Sequence, residues 1–452
     1  MNATSTRTAG QVGVRDTPLF SPVQAQPDEV SHLLCSVKTL GLGDTSDTEK
    51  KPSLERWKSD VATWEERLVL REFLWTTGLT SLEGSCVETA GLWRHKTTNE
   101  LQLRPHACQN RAYCPHCAVN YGLERGLERK SLYDALFEPG HLLDRMPTIR
   151  AFAHVLTLPE SVSKHLDNLL EQGRVNALRA ALKDLTSAVH RCLSWWYGSD
   201  GIATSLAWHW WHTSNVLEGP HWHAHVMVPN ISIDPSGTAR VLRHRGKLDP
   251  VELVKLRERW ALEVAKCRFV LEAALEIPSE LTTHYKFLQQ NKLSHRSRYD
   301  LRHPMQDLTK VLKSSVLPSV SKKSHSSYND SGECLLDPFN DSEERLFDDS
   351  DLPGLAWFLG RVGQLQRVQL VRYTGWLTNS KRKKLGLVRE EPGENEWRNT
   401  GEYYTFTSFT DEGVNVEHWK GGWKVSRFFP RKEVSLFPSP RHRRYAWAAP
   451  PA

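Results

Sequence analysis

The stretch Pro220-His221-Trp222-His223-Ala224-His225-Val226-Met227-Val228 decides how the chain is read. Alternate residues of an extended strand share a face. His221, His223 and His225 therefore fall on one side, while Trp222, Ala224, Val226 and Val228 turn to the other and can bury in a core. One short strand thus sets out a row of imidazoles, and imidazole is a good ligand for divalent metals. A half-buried strand with solvated histidines accounts for a pair. Three in alternation point instead to a metal-ligand edge.

The composition bounds what can surround that strand. A chain of 452 residues has room for two or three domains. The hydrophobic fraction of 39% and the mean hydropathy of −0.52 describe a folded core with substantial polar segments. The net charge of +6 and pI near 8.8 are compatible with a nucleic-acid partner. Several of the 17 tryptophans lie among Lys and Arg, which suits stacking on unpaired bases as well as ordinary packing. No apolar run reaches the length of about 18 residues that a transmembrane helix needs. The first twenty residues lack the apolar stretch of a secretory signal. The expected location is the cytoplasm, with no membrane partner. Eight cysteines in so long a chain do not make a secreted disulfide scaffold and read better as metal ligands.

Cys86, Cys108 and Cys114-Pro115-His116-Cys117 form the second strong signal. The C-x2-C knuckle is a common half-site for tetrahedral zinc, because its turn aims both thiolates at one ion. Cys108 and Cys86 complete a four-thiolate site, with His106 or His116 as possible substitutes for one of them. Such a closed site is structural and would hold a small basic lobe in shape.

Five segments are expected along the chain: a disordered leader (1–50), a helical segment with the zinc lobe (51–135), an α+β domain (136–312), a flexible linker or insertion (313–352) and a C-terminal α/β extension with a basic tail (353–452). Periodicity predicts helices over 52–78, 119–137, 160–197 and 249–275, and strands over 149–162 and 201–213. Glu218-Gly219-Pro220 joins the last strand to the histidine strand as an antiparallel hairpin. The order strand, helix, strand, strand, helix fits an antiparallel sheet with helices on one face. Within 280–312, Arg298 and Arg302 flank Tyr299 and surround a phenol with cations, as a group meeting a phosphate needs. Lys381, Arg382, Lys383 and Lys384 form a basic patch suited to backbone phosphates. The tail from Pro438 to Ala452 reads as unstructured.

Taken together and in this order, these motifs resemble those of the rolling-circle replication initiators (Rep proteins) of plasmids and small viruses. Those proteins belong to the HUH endonuclease superfamily, named for its His-hydrophobic-His pair. The chain is also similar to HUH-type transposases with a comparable cysteine knuckle. Cys108-Gln109-Asn110-Arg111-Ala112-Tyr113-Cys114-Pro115-His116-Cys117 is similar in outline to the family's cysteine motif. His154-Val155-Leu156-Thr157-Leu158 resembles its first motif, and His223-Ala224-His225 matches its histidine pair. Arg298-Tyr299-Asp300-Leu301-Arg302-His303-Pro304 resembles its tyrosine motif, with His303 where some relatives carry a second tyrosine.

The resemblance implies an HUH endonuclease-like fold and a divalent Mg or Mn ion on His223 and His225, with His221 as a candidate third ligand. It implies structural zinc at the cysteines and Tyr299 as the nucleophile, with Tyr285 as the alternative. It further implies cleavage of single-stranded origin DNA through a tyrosine 5′-phosphodiester, and work alongside host helicase and polymerase. A transposase or mobilisation relaxase shares this chemistry. A non-catalytic, zinc-dependent DNA-binding regulator is the reading from another class.

Overall fold

The computed structural model describes residues 54–78, 86, 88–144, 147–212, 215–242, 250–316, 349–389, 397–420, 422–436 and 444–448. The expected leader (1–50) and most of the expected linker (313–352) lie outside them. In chain order the elements begin with α1 (Leu54–Thr76), β1 (Thr89–His95), β2 (Leu101–Pro105), α2 (Pro115–Leu136), β3 (Ile149–Thr157), α3 (Glu160–Glu171) and α4 (Val175–Tyr197). Then come β4 (Ser205–Trp211), β5 (Pro220–Pro229), β6 (Ile231–Ile233), β7 (Ala239–Val241), α5 (Pro250–Ala265), α6 (Arg268–Glu272), β8 (Thr283–Gln289), α7 (Gln290–Asp300) and α8 (Pro304–Val316). The remainder are α9 (Leu352–Leu365), β9 (Val371–Tyr373), α10 (Asn379–Lys384), β10 (Leu387–Arg389), β11 (Trp397–Phe409), β12 (Gly413–Lys420), β13 (Trp423–Pro430), β14 (Val434–Ser435) and β15 (Tyr445–Trp447). The class is α+β with antiparallel sheets. Among the described residues no helix is long and apolar enough to cross a membrane.

The histidine strand β5 runs through the middle of an antiparallel sheet of order β8-β3-β5-β4-β9. Its two faces follow from period-two alternation. Phe152, Leu156, Leu206, Trp208, Trp222 and Val226 point one way and join the main core, with the leucines of α3 and α4. A single helix over 160–197 was the expectation. The chain instead breaks between α3 and α4 at Gly173, whose φ of +67° favours glycine.

The opposite face carries the histidines, and helices cover this side too. Leu132, Tyr133 and Leu136 of α2 and Leu293 of α7 pack with Ala151, Ala153, Met227 and Leu288. The Tyr133 hydroxyl donates to Met227 O at 3.0 Å. The expectation of helices on one face is therefore corrected. The reason lies in α2, whose first turns pack through glycines and a buried arginine, with buried leucines only near its end. A Cβ on Gly126 would lie 2.8 Å from Arg298 Cα, and one on Gly122 would lie 2.9 Å from His303 N. Only glycine lets α2 approach α7 and the α7–α8 turn this closely.

A second sheet has the order β13-β12-β11-β1-β2-β14, antiparallel except where β14 joins β2. Residues from both ends of the chain build it. β11, from the expected C-terminal extension, pairs directly with β1 of the expected zinc lobe. Helix α1 seals its inner face: Trp64 meets Phe409 with ring centroids 4.6 Å apart, and Trp57 Nε1 donates to Thr410 O at 2.9 Å. β9 likewise adds an edge to the histidine sheet. The residues after 353 thus complete both sheets. Within the tail expected to be unstructured, Tyr445–Trp447 pairs with β10, and Trp447 Nε1 donates to Ala135 O at 2.8 Å.

Gly126→Leu is expected to force α2 away from α7 and to destabilise the protein by about 1–3 kcal/mol or more, as overpacking of a tight contact does. Urea unfolding measures it, and wild-type stability in this variant would contradict the close packing.

Candidate active site

Cross-strand register gathers three imidazoles on the covered face. His223 of β5 pairs with His209 of β4, and His225 pairs with Ala207, whose small side chain leaves space. On the other side Thr157 and Val155 of β3 oppose His223 and His225. His209, His223 and His225 are all buried, and each offers a ligand atom within 4.8 Å of the other two. Burial holds all three imidazoles well below their usual range, His223 at about 3. They are neutral near pH 7, which is the ligating form.

The hydrogen bonds at the group bear on which nitrogens are available. His223 Nδ1 lies 3.0 Å from His221 O and donates to it, which leaves Nε2 as the lone-pair atom. His209 Nε2 donates to Asp300 O at 2.9 Å, and the buried His209 Nδ1 has no hydrogen-bond partner. His223 Nε2 and His225 Nε2 face each other across 3.1 Å. In one protonation pattern Arg296 donates to His225 Nδ1, and His225 Nε2–H donates to His223. In the other, the His225 proton sits on Nδ1, 3.1 Å from Asp300 Oδ1, and both Nε2 lone pairs face inward. The second pattern, with the orphaned His209 Nδ1, fits a divalent ion. A carboxylate behind a ligating histidine is the usual support for one.

His209 occupies the place expected for His221. His221 stacks on His212, with ring centroids 4.1 Å apart, and lies outside the three-residue group. A bulge between His209 and Trp211 shifts the β4–β5 register there. The signal for His209 was present in Ala207-Trp208-His209-Trp210-Trp211-His212, but only the hairpin register exposes it.

Tyr299 stands beside the group. It is the penultimate residue of α7, half-buried, with its ring centroid 5.5 Å from that of His225 at a steep angle. The Arg302 guanidinium lies over the phenol ring at 3.8 Å, and Arg296 is 5.4 Å from it. Tyr285 is elsewhere. It pairs with His154, on the sheet face opposite His225, and packs near Phe152. Burial pushes its phenol up to about 12.

Asp300 follows Tyr299 and has no exposed side chain. Its Oδ2 accepts from Arg129 at 3.1 Å, in an ion pair with both side chains fully buried. Its Oδ1 lies 2.8 Å from Arg296 Nε and 3.1 Å from His225 Nδ1, though neither contact is aligned as a hydrogen bond.

The cysteines converge as well. Cys86 Sγ lies 3.4 Å from Cys114 Sγ and 3.8 Å from Cys117 Sγ, and Cys108 Sγ lies 3.7 Å from Cys117 Sγ. A tetrahedron with Zn–S of about 2.3 Å has sulfurs about 3.8 Å apart, so this group can hold a metal ion. Cys114 caps the N-terminus of α2, and hydrogen bonds from the Cys117 and Cys86 thiols hold its sulfur well below the usual thiol range. His106 is exposed and outside the group. His116 is engaged by Arg67, which donates to its Nδ1 at 2.8 Å, and by Asn120 at 3.1 Å.

The basic residues divide by burial. Arg302 is 8% exposed and binds Asp307 at 2.6 Å, so its charge is engaged within the fold and faces no open phosphate track. Arg382 is 4% exposed and donates to the Tyr445 hydroxyl at 2.9 Å. Arg298 is half-buried and donates to Ser294 Oγ at 2.8 Å. Lys381, Lys383 and Lys384 are exposed on α10. Comparisons with protein-family models, curated proteins and solved structures find no match to this chain.

Asp300→Ala leaves Arg129 buried without its anion and is expected to lose about 3–5 kcal/mol in urea unfolding. Asp300→Asn is expected to fold and to bind Mn2+ about 10- to 100-fold more weakly by titration calorimetry. Unchanged Mn2+ affinity would remove Asp300 from the centre. Cys114→Ser is expected to lose the metal of the cysteine site while His223→Ala keeps it. Elemental analysis of the purified proteins checks this.

Proposed function

We propose that this protein is an HUH-type endonuclease that nicks and rejoins single-stranded DNA through Tyr299, as a rolling-circle initiator does at its origin. The observation that carries the reading is the half-exposed phenol 5.5 Å from a buried, neutral imidazole group. A structural role alone does not require three buried imidazoles gathered beside a tyrosine.

His209, His223 and His225 would hold the divalent ion. Their all-imidazole donor set favours Mn2+ over Mg2+, since Mg2+ prefers oxygen ligands. When bound, the ion supplies Lewis-acid polarisation of a non-bridging phosphate oxygen. The protein does the rest. The His221 and Asp300 backbone carbonyls fix the tautomers of His223 and His209. The Arg302 guanidinium over the ring holds the phenol in place beside the imidazoles. The Tyr299 oxygen forms a bond to phosphorus as the bond from phosphorus to the 3′ oxygen breaks. The phenol proton is lost, and the leaving oxygen gains one to become a 3′ hydroxyl. The 5′ phosphate stays on Tyr299, so attack by a later hydroxyl reverses the transfer and reseals a strand. The free 3′ hydroxyl is a primer for a host polymerase. A structural zinc ion at Cys86, Cys108, Cys114 and Cys117 would lock the start of α2.

Incubating the protein with labelled single strands and Mn2+ is expected to give a denaturation-resistant adduct on the 5′ side of the break. Tyr299→Phe is expected to abolish it, and Tyr285→Phe to leave it. No adduct on any strand tested, or one that persists in Tyr299→Phe, contradicts the reading.

A further inference from the structure

The outer face of the second sheet has no part in the site above. Its register is read from β1. Gly91 lies between Arg104 of β2 and Tyr403 of β11, Trp93 lies between Gln102 and Asn399, and His95 pairs with Trp397. These residues alternate with Ala90, Leu92, Leu103 and Tyr404, which are buried in the core, so they share the face turned away from α1.

That face is aromatic and cationic. The Arg104 guanidinium lies 4.3 Å from the Trp93 ring centroid and 5.4 Å from that of Trp397. The His95 and Trp397 rings meet edge to face at 5.0 Å. Tyr403 is 60% exposed. The Tyr403 ring lies over Gly91, where a Cβ would fall 3.5 Å from it, at ordinary packing distance. Phe428, 43% exposed, extends the same face on β13. Among the described residues paired in register here, Glu417 is the one carboxylate, and Lys424 forms an ion pair with it. Arg104 leaves the face net positive.

We infer that this face is a stacking platform for single-stranded nucleic acid, with Tyr403 and Phe428 meeting bases and Arg104 serving the backbone. The charge argues for a polyanion. Open ring faces argue for unpaired bases, since a base within a duplex presents no free π-face to a flat sheet. The inference rests on the reading that the substrate is single-stranded DNA, but on residues outside the tyrosine site.

The test is fluorescence anisotropy of a labelled oligothymidine with the Tyr299→Phe protein, which cannot turn over. Tyr403→Ala and Phe428→Ala are each expected to weaken binding roughly 5- to 100-fold, the range for loss of one base–aromatic stack. Tyr403→Phe keeps the ring and is expected to bind as the parent, which separates stacking from a folding defect. Parental affinity in both alanine variants overturns the proposal. So does loss of self-association in the alanine variants without loss of DNA affinity, which would assign the face to a second copy of the chain. If wild-type protein forms no adduct but the alanine variants still lose DNA affinity, the nicking reading fails and the platform stands.

Discussion

A carboxylate with no exposed surface is tolerable only when cations and donors surround it, and Asp300 is held this way. Arg129 reaches it from α2 and Arg296 from α7, while His225 approaches from the sheet. Its backbone carbonyl takes the proton of His209. One residue therefore orients His209 through its backbone and sets its carboxylate against His225, and its chain neighbour is the tyrosine. The arrangement also carries a penalty, because Arg129 Nε and Nη2 are buried without hydrogen-bond partners. Groups left in that condition cost about 1–3 kcal/mol each.

The same contact ties the two candidate metal groups together. α2 starts at Cys114, passes the close approaches at Gly122 and Gly126, and delivers Arg129 to Asp300. A lock on the first turn of α2 thus bears on the position of α7 and of Tyr299. The cysteine group and the histidine group read as separate motifs along the chain, but one rigid helix spans between them.

Local pattern made some of this legible and hid the rest. The paired imidazoles could be read directly, because strand alternation alone places His223 and His225 on one face. The C-x2-C spacing likewise announced a convergence of sulfurs. His209 was not legible, since its membership depends on register with a neighbouring strand. α2 read as a helix with many charges because its buried face mixes Gly122, Gly126, Glu128 and Arg129 with Leu132, Tyr133 and Leu136, a pattern that hydrophobic periodicity registers only in part. Arg302 and Arg382 looked like phosphate contacts because charge is visible in sequence and burial is not. Both are stacked on tyrosines. The joining of β11 to β1 spans some three hundred residues, and nothing local foretells such a pairing.

The central claim is that His209, His223 and His225 close around one divalent ion beside Tyr299. Anomalous diffraction from crystals soaked in Mn2+ tests it most directly. The account predicts a peak within bonding distance of nitrogens of all three imidazoles, on the side that faces the phenol. A peak between His212 and His221, or none at the three-imidazole group while the protein binds Mn2+ elsewhere, would contradict it.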